Sequence, residues 1–194
     1  MLSKLVLCLI AAVTLQSCLA DSKVEYDNQA ACDIIIDYTK RFVDDAKVYR
    51  SSSSSAPQKI GVGEVPYMID PVITEGGPVA REAPRSVSSV KDWDEITRLS
   101  DDSVLHNCEQ LEPWLSNQGV LTDEKQIDQL TGSKDGDLQL LRLAMPVFVD
   151  GGESALLFVS RETGWRTGAG IVAIYAQDSR GRWRQVDEAL QWVT

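Results

Sequence analysis

The residues of this 194-residue chain best suited to redox, metal or nucleophilic chemistry are four cysteines and a single histidine. A zinc site needs about four Cys or His ligands at short characteristic spacings. Cys8, Cys18, Cys32 and Cys108 with His106 do not supply that pattern. His106 and Cys108 lie on one predicted helix, separated only by Asn107. Residues two apart on a helix point to nearly opposite sides, about 160° apart, and do not meet as nucleophile and base. His106 is therefore read as a surface or capping histidine. Acidic pairs are plentiful: Asp44-Asp45, Asp92 with Asp94-Glu95, Asp101-Asp102 and Asp123-Glu124. Glycoside hydrolysis needs two carboxylates across one cleft, whereas adjacent acids near helix starts favour the helix dipole. Asp135-Gly136-Asp137 lacks the remaining ligands of a calcium loop. Gly61-Val62-Gly63 and the glycines from 164 to 170 complete no phosphate-binding loop. The sequence thus predicts no catalytic residue, no cofactor and no metal ligand. Its most distinctive pair is Trp165-Arg166, placed between two apolar stretches. Both types are enriched at binding hot spots, and Arg161 and Arg182 could extend them into a mixed aromatic and basic patch. Trp183 and Trp192 read as core.

The N-terminus predicts export. Lys4 precedes an uninterrupted apolar run over 5–15, followed by Ser17-Cys18-Leu19-Ala20. A positive start, a short apolar stretch and a small-residue exit describe a secretory signal peptide over 1–20. The run is too short for a spanning helix, which needs about 20 apolar residues. Two processing routes are open. Leu15-Gln16-Ser17-Cys18 resembles the bacterial lipobox, with cleavage before 18 and lipid on Cys18. Cys18-Leu19-Ala20 fits cleavage after 20. Either way Cys32 and Cys108 remain, an even pair in an oxidising compartment. A disulfide between them would stabilise by about 4 kcal/mol in the chain-entropy model. Two reduced, buried cysteines are the alternative.

Positioning elements follow from periodicity. Residues 28–46 carry an apolar stripe of Cys32, Ile35, Ile36, Thr39, Phe42, Val43 and Ala46 at spacings of three and four, an amphipathic helix. The serine tract 51–55 reads as a turn or linker. Five of seven prolines lie within 57–91, so that stretch reads as loop with short extended pieces near 65–73. Helices are predicted at 93–99, at 103–118 with a bend or break at Pro113, and at 123–130 with Thr122 as cap and Gly132 as stop. From 138 the period changes to two. Leu141, Leu143, Met145, Val147 and Val149 are expected on one face, with turns at 150–153 and 178–181. Strands at 154–160 and 170–177 are apolar on both faces, and 182–186 adds another. The expected fold is α+β: N-terminal and middle helices packed on a C-terminal antiparallel sheet of about four strands. The segments are then a signal peptide over 1–20, a helix over 21–50, a Ser/Pro/Gly-rich loop segment over 51–92, and an α+β core over 93–194 forming one domain with 21–50.

The formal net charge is -10. Residues 21–137 hold 12 basic and 23 acidic side chains, and 138–194 hold six of each. Phosphate binding needs a clustered Lys/Arg surface, so nucleic acid is not an expected partner. The C-terminal stretch, about 50 residues, resembles a family of exported bacterial proteins and lipoproteins with no assigned activity. The likeness rests on Met145-Pro146-Val147-Phe148, Gly151-Gly152, Ala155-Leu156-Leu157-Phe158-Val159, Gly164, Gly168 and Gly170, the Ile171–Tyr175 strand, Gly181-Arg182-Trp183 and Trp192. It implies export and a mixed fold, and carries over no catalytic residue. The combined expectation is a non-enzymatic, exported envelope protein that binds another protein, such as an inhibitor or immunity protein against an envelope-attacking enzyme. A structural or assembly lipoprotein is the alternative, and a carboxylate-dependent hydrolase a third. Its place would be the periplasm or, through lipid on Cys18, the outer membrane; a eukaryotic secretory signal reads much the same, and only the C-terminal resemblance favours bacteria.

Overall fold

The computed structural model describes residues 28–53, 57–64, 73–74, 77–78, 103–131, 137–163 and 167–193. The leader with Cys18, the predicted helix at 93–99, the stop at Gly132 and the Trp165-Arg166 pair lie outside these residues, as does most of the loop segment 51–92.

Helix α1 spans Asn28–Ser52, a rod of about 37 Å. The predicted stripe is its buried face, from Ala31 through Ile35, Tyr38 and Phe42 to Ala46. It runs further than the periodicity implied. The hydroxyls of Ser51 and Ser52 donate to the carbonyls of Val48 and Tyr49, so the serine tract begins as a last helical turn rather than a linker.

Next comes a strand that the loop reading did not contain. β1, Lys59–Glu64, ends before Pro66 and pairs in parallel with β4. Its glycines allow close packing: a Cβ at Gly63 would sit 2.5 Å from Glu124 Oε1. Two short strands, β2 (Ile73–Thr74) and β3 (Gly77–Pro78), pair with each other.

Three helices precede the main sheet. α2 (Val104–Asn107) starts at Ser103, whose Oγ accepts from the His106 backbone N–H at 3.3 Å. α3 is Leu111–Asn117. The break between them falls at 108–110 rather than at Pro113. Pro113 is the third residue of α3, where an amide N–H has no intrahelical acceptor to lose. α4 is Glu124–Thr131. Asp123, not Thr122, caps it, with Oδ1 accepting from the Gln126 N–H at 2.9 Å.

The sheet follows as β4 (Leu138–Leu143), β5 (Val147–Val149), β6 (Ser154–Thr163), β7 (Gly168–Gln177) and β8 (Trp183–Val193). With β1 it forms a six-stranded sheet of order β1-β4-β6-β7-β8, β5 also pairing with β6. All pairs except β1–β4 are antiparallel. The fold is therefore α+β, the helices packed on a sheet that is mostly a C-terminal meander.

The expected common face of the 138–149 stretch is broken. β4 pairs Leu143 with Val159, whereas β5 pairs Val147 with Leu156. One extra residue intervenes, next to Pro146, which has no N–H for the ladder. A slip of one residue exchanges the faces. Leu141, Leu143 and Met145 join the helix-side core, while Val147 and Val149 pack with Leu156, Phe158, Val172 and Ile174 in a separate cluster.

Cys32 on α1 is bonded to Cys108, with Cα atoms 5.5 Å apart. The pair is a disulfide rather than two buried thiols, which fits an oxidising, extracytoplasmic compartment. No helix among the described residues is long and apolar enough to cross a membrane.

Candidate functional site: the open edge of the sheet

The two edges of the main sheet are finished differently. At β1, the Val62 N–H donates to the Leu121 carbonyl and the Leu121 N–H donates to the Ile60 carbonyl, both at 2.9 Å. One residue thus occupies the outer rim of β1. At β8, no described strand lies on the outer side.

β8 pairs with β7 in an interrupted register. Ile174 faces Asp187 while Tyr175 faces Gln185, and Gly170 faces Trp192 while Ile171 faces Leu190. Val186 and Gln191 are the two extra residues. Bulges of this kind twist an edge and discourage indiscriminate strand pairing. Their side effect is exposure of apolar groups. Val186, Leu190 and Val193 are 57%, 62% and 63% exposed, three of the five large hydrophobic residues exposed among those described. Leu190 stands beside Ile171, which is buried. The difference is position: Ile171 lies in the core under the helices, and Leu190 lies one strand further out.

A polar network holds this edge to α1. Arg41 donates to Gln185 Oε1 at 2.7 Å, to Tyr175 Oη at 2.5 Å and to Asp37 Oδ2 at 3.0 Å. Tyr175 in turn donates to Asp37 at 3.1 Å, and Gln185 donates to Glu188 at 3.1 Å. Burial pushes the Tyr175 phenol well above its usual range, against the pull of Arg41, and the Asp37 carboxylate adds to the rise. Burial raises Tyr38 as well, although Arg161 lies 5.1 Å from the centre of its ring and opposes the rise. At the turn from β7 to β8, Asp178 accepts from the N–H groups of Arg182 and Arg180. Those bonds, with the Arg182 guanidinium, lower its carboxyl to about 2.

The sequence-predicted candidates are dispersed. Cys32 and Cys108 are brought together. Arg161 pairs across from Ala169, and Arg182 adjoins Trp183, which faces Gln177. These are opposite ends of β7, about 27 Å apart, so the patch expected from Arg161 and Arg182 does not form. Arg161 lies instead over Tyr38, and Arg182 pairs with Asp178 at 3.0 Å. Trp183 is half-buried against Phe148, ring centres 5.4 Å apart. In the acidic pair Asp123-Glu124 the two side chains serve separate ends: Asp123 caps α4, and Glu124 pairs with Arg142 at 3.2 Å; Asp92, Asp94, Glu95, Asp101 and Asp102 lie outside the described residues. Arg142 also lies 3.6 Å from both Asp128 and Glu162 and donates to the Glu64 carbonyl. Glu64 accepts from the Ser103 hydroxyl and, at 3.3 Å, from the Leu105 N–H, so its carboxylate anchors α2. Among the described residues no three His, Cys, Asp or Glu side chains gather as a metal site.

Sequence reasoning missed β8 as a surface because 182–186 was read as a short strand. Val186-Asp187-Glu188-Ala189-Leu190 does not alternate, so no period-two signal marked its continuation. No family model, curated protein or solved structure matches this chain.

Proposed function

We propose that this is an exported envelope protein that binds another protein along β8, as an inhibitor or immunity protein acting against an envelope-attacking enzyme. The observation that carries the reading is the β8 edge, which has no described strand on its outer side and exposes Val186, Leu190 and Val193. Three exposed apolar side chains along one edge strand support an interaction surface there. The disulfide, the signal-like leader and the C-terminal resemblance to exported bacterial proteins support the compartment. The acidic surplus supports the choice of target, since an acidic protein is steered electrostatically to a basic one.

The test is capture of the mature protein's partner from the native envelope, beside a Leu190→Asp, Val193→Asp variant and a Trp165→Ala, Arg166→Ala variant. The expected result is one stoichiometric enzyme, inhibited on binding. The β8 variant should bind it at least about tenfold more weakly, equivalent to about 1.4 kcal/mol. Its association rate should fall with added salt. An array of envelope components held equally by every variant would overturn the inhibitor reading. Loss of function on Cys18→Ser would then favour a tethered structural role.

A further inference from the structure

Most arginines of the sheet and of α1 have a carboxylate at hand. Arg41, Arg142, Arg182 and Arg184 each lie 3.7 Å or less from one. Arg161 is half-buried, yet it pairs with no described carboxylate and donates no hydrogen bond to a described residue. Its Nε is buried without a partner. The guanidinium lies 5.1 Å from the centre of the Tyr38 ring. That contact engages the charge of the cation and none of its five N–H groups. Tyr38 Oη is buried nearby and closes no hydrogen bond among the described residues either. Arg41 lies 5.4 Å from the same ring, but Asp37, Tyr175 and Gln185 take its donors. A half-buried cation without a counter-charge costs stability, and exceptions of this kind are expected where a protein functions.

The register shows what surrounds it. Arg161 faces Ala169, and Ala169 faces Val193, so the three form one cross-strand row on the sheet face that meets α1. Arg161 and Val193 are two strands apart, about 10 Å. Ala169 between them carries only a methyl group. The next row on that face is Val159, Ile171 and Leu190. An uncompensated cation therefore stands beside the exposed apolar pair Leu190 and Val193. Glu188, in the row after that, is the acid that acts on Tyr38, and it accepts from Gln185.

We infer that Arg161 receives a carboxylate side chain of the protein partner, carried beside an apolar side chain that lies on Leu190 and Val193. This rests on the reading of β8 as the binding edge and names the chemistry that the edge selects. A guanidinium fork matches a carboxylate with two parallel N–H···O bonds. Glu188 disfavours an anion of higher charge, such as a phosphate. The attraction of the whole acidic surface for a basic target acts at long range, whereas Arg161 reads one side chain in contact.

The probe is the peptide N-acetyl-leucyl-alanyl-glutamate methylamide, whose first and third side chains share a face when extended. It is titrated into the intact mature protein while the Arg161 Nε–H and Tyr38 ring signals are followed by NMR. Saturable shifts of both are expected, with a dissociation constant on the order of 1 mM. The glutamine analogue should bind at least about tenfold more weakly, and sodium chloride at equal concentration should leave the signals in place. Arg161→Met removes no hydrogen bond or ion pair to a described residue. Its denaturation midpoint should stay or rise, and its Tyr38 signals should no longer respond to the peptide. An equal response to the glutamine analogue or to chloride, a response that persists in Arg161→Met, or a lowered midpoint of that variant would overturn the assignment. The envelope capture separates the two readings. A partner retained by Arg161→Met but lost by Leu190→Asp, Val193→Asp would overturn the carboxylate contact alone. A partner retained by both would overturn the β8 reading itself.

Discussion

Tyr175 shows how one side chain can hold two layers together. Its ring is buried in the core, and its hydroxyl meets Arg41 and Asp37 from the helix. Both Tyr175 and Tyr38 have phenols raised above the usual tyrosine range, chiefly by burial. A group whose folded pKa is raised contributes stability that is complete below its unfolded pKa and is lost as pH rises through the folded one. The protein should therefore be destabilised by pH above about 10. Tyrosinate absorbance of the native chain, titrated against the chain in denaturant, should fall short at the unfolded midpoint by about one tyrosinate equivalent, the half-ionised share of two of the five tyrosines. Full native titration there would contradict the buried placement. At this scale the apolar run ending at Tyr175 was legible as core. Its polar partner was not, because Arg41 is 134 positions away, and nothing local couples a helix arginine to a distant strand.

Among the elements, α4 is the one most dependent on charge. Ile127 is its one fully buried side chain, so its grip on β1 and β4 comes also from Arg142. That guanidinium is 12% exposed and lies among Glu124, Asp128 and Glu162. Removing it leaves three carboxylates clustered without their cation, a larger loss than a surface pair, reduced because those acids are partly solvated. Arg142→Met keeps the stem volume and should cost about 2 kcal/mol. Hydrogen exchange should rise first in α4, and uniform destabilisation without that local opening would argue against the assignment. Periodicity revealed α1 and α4 because each buries one face, while β6 and β7 were legible as continuous apolar runs buried on both faces. It failed where a local exception decides the outcome: the extra residue beside Pro146 that turns Val147 and Val149 to the other face, and the first-turn position that lets Pro113 sit inside α3. β1 was hidden for a related reason. Two of its six residues are glycines, placed for the close approach of Glu124 at Gly63 and of Leu138 and Leu140 at Gly61 rather than for strand propensity.

On the scale of the whole molecule, the disulfide spans 76 positions. Closing a loop of that length stabilises by about 4 kcal/mol through restriction of the unfolded chain. The Cys32→Ala, Cys108→Ala double variant should lose about that much, read as a lower denaturation midpoint with little change in the native circular dichroism. An unchanged midpoint would mean that the unfolded chain is already restricted there. Pairing was foreseeable from cysteine arithmetic once the leader was set aside. The exposed β8 rim was not, since it is defined by the lack of a neighbouring strand among the described residues.

The disulfide has a topological consequence as well. The bond closes a covalent ring that contains most of α1, all of β1 and the whole serine- and proline-rich stretch, and the chain enters that ring at Cys32 and leaves it at Cys108. A single cut by a protease anywhere between these residues opens the ring without separating the pieces. The helix remains leashed to the sheet, and the nicked protein stays one molecule until a reductant reaches the sulfurs. For a protein facing the hydrolytic world outside the cytoplasm, the segment richest in loop residues is also the one where backbone scission is least able to dismantle the assembly.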